Sequence, residues 1–65
     1  MMFHAVMYNE KSGKKEGESF FAMTKEYFNK TYVPNRFKGA KHLGDDKYLH
    51  PFMKDVIITC EPLEE

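Results

Sequence analysis

Sixty-five residues bound the chain to one small domain, and ten Lys plus Arg against ten Asp plus Glu leave no net charge to draw the whole molecule onto nucleic acid or an acidic membrane. A hydrophobic content of 42%, with six Phe and four Tyr, excludes a chain that stays unfolded for want of apolar surface. No run approaches the ~18 uninterrupted apolar residues of a membrane span, no basic-then-apolar opening reads as a signal peptide, and the single cysteine, Cys60, cannot form an internal disulfide. The expectation is a soluble cytoplasmic protein in which residues 1–65 form a single domain with a small core, because a chain this short buries only about 60% of the surface it exposes when unfolded.

Phe3-His4-Ala5-Val6-Met7-Tyr8 carries apolar or amphipathic side chains on both alternating faces, which predicts a strand over about 3–9. Glu10 to Lys14 reads as a turn in which Gly13 supplies a positive φ, and a short antiparallel strand over 14–18 can return from it. From Ser19, the residues Phe20, Phe21, Thr24, Tyr27, Phe28, Thr31 and Tyr32 recur at the spacing of one helix face. Ser19 would cap that helix and Val33-Pro34 would stop it, because proline pushes its predecessor out of the α region; the predicted helix runs over about 19–32. A rival reading takes Glu18 to Thr24 as the second strand of a long hairpin and leaves only a stub of helix.

Asp55 to Glu61 is the strongest strand, with β-branched residues in succession and Pro62 as its stop, and residues 63–65 are expected to fray. Between helix and strand, 34–54 exceeds the usual loop length and calls for local structure of its own, which Asp45 or Asp46 would provide by capping a single helical turn through Lys47, Tyr48 and Leu49. The sum is an α+β fold in which one helix covers a sheet of two or three strands, at about 3–9, 14–18 and 55–61.

Charge is polarised along the chain: residues 11–41 hold eight cations against three anions, and 42–65 hold two against six. The basic stretch interleaves with rings, so Lys25, Lys30, Arg36, Lys38 and Lys41 are candidates for a nucleic-acid contact that combines phosphate neutralisation with stacking. His42, Asp45, Asp46 and His50 fall within nine residues, but their spacing matches no established ligand pattern, and no metal or cofactor is expected. The lysine-rich 9–19 stretch lacks the residue order of a phosphate loop and carries Glu16 and Glu18 where a phosphate would dock. Ser12 and Ser19 have no acid and histidine framed beside them, and Cys60 lies in a strand, so no catalytic residue is nominated and an enzyme is not expected.

What remains is a binding protein. Phe37, Tyr48 and Phe52 lie on the long connection, outside the elements that supply the core, and either close over the sheet or face a partner. With Arg36 for carboxylate recognition and Lys38 and Lys41 for steering, Arg36, Phe37, Lys38, Lys41, Tyr48 and Phe52 form the expected surface for a larger protein partner. In size and style alone the chain is similar to the small regulators and inhibitors that phages and mobile elements direct against larger enzymes. Self-association through the edge of the C-terminal strand, giving a homodimer, is compatible with either the protein-binding or the nucleic-acid reading.

Overall fold

A computed structural model describes residues 1–63; of the tail expected to fray, 64–65 lie outside the described residues, and Leu63 N–H donates to the Met2 carbonyl at 3.0 Å. The chain forms strands β1 (Phe3–Asn9) and β2 (Lys15–Glu18), a helical run over 25–36, and strands β3 (Lys41–Gly44), β4 (Lys47–Leu49) and β5 (Val56–Pro62). The strands make one sheet in the order β2-β1-β5-β4-β3, and each neighbouring pair is antiparallel. The α+β class holds, but the expected two- to three-stranded sheet is corrected to five strands.

Both additional strands come from the 34–54 connection. The segment read as a capped helical turn is β4, and the two aspartates form the β3–β4 turn, with Asp45 at φ 45° and Gly44 at φ 131°. A short glycine-led polar turn supports a two-residue reversal better than a helix start, because glycine and aspartate tolerate the left-handed region that closes a hairpin. β5 is consequently internal, paired with β1 on one side and β4 on the other, which removes the free edge proposed for self-association.

The helix also moves. Ser19 does not cap it: Ser19 N–H donates to the Ala5 carbonyl at 2.8 Å, and its hydroxyl accepts from Ala5 N–H at 3.0 Å. Met23 then pairs with Phe3 through two backbone bonds of 2.8 Å, so the stretch is tied to β1 at both Ser19 and Met23. Thr24 is the cap, accepting from Tyr27 N–H at 3.0 Å.

Pro34 does not stop the helix because the turn before it is wide. Phe28–Tyr32 is π-helical, with Val33 N–H bonded to the Phe28 carbonyl. A proline inside a regular helix clashes with the carbonyl four residues back, and the extra residue in the preceding turn shifts that carbonyl aside. The same turn brings Phe28 and Val33, five residues apart, onto the sheet, where both are buried against Ala5 of β1, Ile58 of β5 and Tyr48 of β4.

Candidate functional site

Two sides of the helix are built differently, and the sequence-nominated residues divide between them. On the β4 side, Asn29 sits in the π-helical turn and joins the helix to the β3–β4 hairpin. Its carbonyl oxygen accepts from the Tyr48 hydroxyl at 2.7 Å, and its amide donates to Asp46 at 2.9 Å and to the Lys25 carbonyl at 2.9 Å. Lys25 in turn lies 3.4 Å from Asp46 and over the Phe3 ring.

Tyr48, nominated as an anchor for a partner, is therefore a core residue, 9% exposed, with its hydroxyl engaged. Burial, followed by the nearby Asp46 charge, raises its phenol above the usual range. The stepwise placement of rings continues outside the core, where His42 stacks on Tyr48 at 4.7 Å.

His42, Asp45, Asp46 and His50 are drawn to separate partners. His42 donates from Nε2 to the Asp45 carbonyl at 2.8 Å, and Asp46 serves Asn29 and Lys25. His50 Nδ1 accepts from the N–H groups of Phe52 and Met53 at 3.1 and 3.0 Å. Among the described residues no group of three or more metal-ligating side chains converges.

The five cations nominated for nucleic acid do not share a face. Lys25 is held by Asp46, and Lys30 lies 3.1 Å from Glu26. Lys41 falls in register with Leu49, Ile57 and Tyr8, on the face of the sheet opposite the helix, while Arg36 and Lys38 stand at the helix C-terminal end.

On the β2 side the helix faces a groove of about 400 Å³. Its floor is Ala5 and Met7, one wall is Tyr32, Arg36 and Phe37, and the other is Phe20 and Phe21. The second wall results from a detour: Val6 is opposite Glu18 and Phe3 opposite Met23, so three steps along β1 are matched by five along the returning chain and two residues are looped out. Phe20 and Phe21 lie in that surplus. Phe21 is 49% exposed and meets Tyr32 edge-on at 5.7 Å, whereas Phe20 is 91% exposed.

From Phe21 a series of rings runs along this end of the molecule through Tyr32, Phe37, His50 and Phe52, with successive centroids 5.7, 5.9, 5.3 and 6.0 Å apart. Phe37 is half-buried within the series, and Phe52 closes it at 84% exposure. Sequence reasoning assigned Phe20 and Phe21 to a helix face and so missed them as surface. The rival hairpin reading of 18–24 held the signal that would have found them.

Cys60 is half-buried beside the core, and burial, with Asp46 as a lesser cause, pushes its thiol up to about 11, too high for a reactive thiolate near neutral pH. Among the described residues no helix is long and apolar enough to cross a membrane. Comparison with protein-family models, curated proteins and solved structures finds no match to the chain.

Proposed function

We propose that this chain is a small regulator or inhibitor that acts by contact with a larger protein, without catalysis, through the end of the molecule that carries Phe20, Phe21, Arg36, Phe37 and Phe52. The observation that carries the reading is Phe20. A backbone detour places a phenylalanine in solvent at 91% exposure, where it contributes nothing to the core. Covering such a ring on a partner is worth about 1.5–3 kcal/mol, and aromatic residues beside an arginine form the clusters that dominate binding energy.

Size agrees. A standard interface takes about 800 Å² from each partner, roughly a sixth of the 4613 Å² that this molecule exposes. One end is enough to form it. A single cysteine with no internal partner suits the cytoplasm as the setting.

The test is capture from a lysate of the native host by the immobilised full chain, with mass-spectrometric identification, repeated with Phe20→Ala/Arg36→Glu. Both positions are exposed, so the double variant should keep the far-UV spectrum and unfolding midpoint of the parent while losing the captured protein at least tenfold. Undiminished capture by the folded double variant would overturn the reading. So would a steep, salt-dependent affinity for DNA or RNA with no protein captured.

A further inference from the structure

Resting on that protein-contact reading, we infer that the groove between β2 and the helix receives an acidic amphipathic helix of the partner, laid beside the chain's own helix. Five strands at about 4.8 Å spacing set the outer strand axes roughly 19 Å apart, whereas a helix is about 10–12 Å across. The chain's helix is centred over β1, β5 and β4, where Phe28 and Val33 meet Ala5, Ile58 and Tyr48. The layer above β2 is missing, and the groove occupies its place.

The shape of the groove selects a helix over an extended segment. Its floor consists of side chains, Ala5 and Met7, so an occupant finds no backbone partners there and must satisfy its own N–H and C=O groups internally. Addition of a strand would instead need the outer edge of β2. That edge is only four residues long, carries Lys15, Glu16 and Glu18, and is cut off by the detour after it.

The wall supports the same occupant. Tyr32 and Arg36 are one helical turn apart and form a single ridge, the surface against which a second helix docks at 8–10 Å between axes. Met7, whose methyl lies over Gly17 where even a Cβ would come within 2.7 Å, gives the floor a deformable side chain that adapts to the residue entering.

Charge fixes the sign of the partner. Among the described residues Lys11, Lys15, Lys25 and Lys30 each have a carboxylate within 4 Å, and of the cations that have none, Arg36 is the one that lines the groove. Glu18 also borders the groove, but its carboxylate is 2.6 Å from Lys15, and the residue is in register with Val6 on the opposite face of the sheet. Arg36 is left to meet a carboxylate brought by the occupant, in the two-bonded geometry that guanidinium favours.

The experiment is selection of random peptides of about 16 residues, long enough for about four helical turns, on the immobilised full chain and, in parallel, on Arg36→Glu. The parent should enrich peptides with apolar residues at helical spacing and Asp or Glu among them. Their binding should fall at least tenfold with Phe20→Ala and shift the amide resonances of Ala5, Met7 and Gly17, and Arg36→Glu should enrich Lys and Arg in place of the acids. Failure to enrich, or enrichment of alternating extended sequences that perturb β2 alone, overturns the inference. Sedimentation of the parent as a dimer that Phe20→Ala dissociates overturns it too, by assigning the groove to a second copy. If lysate capture depends on Phe20 and Arg36 while the selected peptides are neither helical nor acidic, the protein-contact reading stands and the helix falls.

Discussion

The two sides of the helix use aromatic residues for opposite ends. Toward β4, Phe28 is fully buried, Tyr48 is stacked beneath His42, and the polar atoms between helix and hairpin are joined through Asn29. Toward β2, the same helix looks onto an open groove whose far wall is a phenylalanine in solvent. The contrast separates scaffold from the surface proposed for contact without any motif: where rings are enclosed and hydrogen bonds completed, the residues hold the fold, and where the chain detours, a ring is left exposed that the core does not use.

Identical substitutions on the two sides should give the largest difference. Phe28→Ala removes a ring at 0% exposure and leaves a cavity, at a cost of about 3–5 kcal/mol. In a domain of this size that approaches the whole stability, so urea titration by circular dichroism should find the variant largely unfolded. Phe20→Ala should stay within about 0.5 kcal/mol of the parent, since the ring makes almost no contact. A large loss at Phe20 would erase the distinction between the two sides.

The polar joint offers a finer cut. Asn29→Ala removes the acceptor of the Tyr48 hydroxyl and the donor to Asp46 together, and should cost about 2–3 kcal/mol because a buried hydroxyl is left unpaired. Tyr48→Phe removes only one bond and keeps the ring, so about 1 kcal/mol is expected. Equal losses would mean that packing of the ring, and not the joint, holds the hairpin to the helix.

Much of the scaffold was legible. β1 and β5 were read within one residue of their observed bounds, because apolar and β-branched residues on both faces mark strands at the centre of a sheet, and the left-handed glycine of the first hairpin, Gly13 at φ 76°, was read from its turn. The helix was found but begun six residues early and ended four early, since Phe20, Phe21 and Thr24 have helical spacing, and only the backbone bonds from Ser19 and Met23 to β1 decide against the early start. β3 was invisible because every residue in it is exposed: it forms by pairing with β4 across a two-residue turn, and a strand with no buried face leaves no alternating apolar trace. For the surface, Arg36 and Phe37 were nominated from the mixture of ring and cation and do stand together at the groove. Phe20 was not, since a residue with perfect helical periodicity gives no local sign that the helix begins after it.

At the end of the ring series, pH provides a smaller test. His50 accepts two backbone N–H groups at Nδ1, an arrangement open only to the neutral ring, and partial burial lowers its pKa from the ordinary 6.5. The rings of Phe37 and Phe52 flank it, and Glu10, Lys54 and Asp55 line the adjacent hollow. With the folded value below the unfolded one, the unfolded chain binds the extra proton first. The contribution is therefore complete above about pH 6.5 and is lost as the pH falls through the folded value. Between about pH 7.5 and pH 5.5 the parent should lose more of its unfolding midpoint than His50→Gln, and the amides of Phe52 and Met53 should exchange faster at the acid end. Parallel curves for parent and variant would detach the Phe52 end of the series from His50.

The smallest effect is expected at the hairpin that the joint holds down. Asp45 sits at φ 45°, where an L-residue is disfavoured by about 1 kcal/mol, somewhat less for aspartate. Glycine removes that strain but gives the unfolded chain more freedom, about 0.5–1 kcal/mol in the opposite direction. The contact that Asp45 makes with His42 uses its backbone carbonyl, which glycine keeps. Asp45→Gly should therefore shift stability by no more than about 0.5 kcal/mol, whereas Asp45→Val, β-branched at a positive φ, should cost about 1–2 kcal/mol. The comparison isolates the turn from the joint: if Asp45→Gly were as damaging as Asn29→Ala, the hairpin would be held by the conformation of its turn, and the helix beside it would be a passenger rather than the anchor.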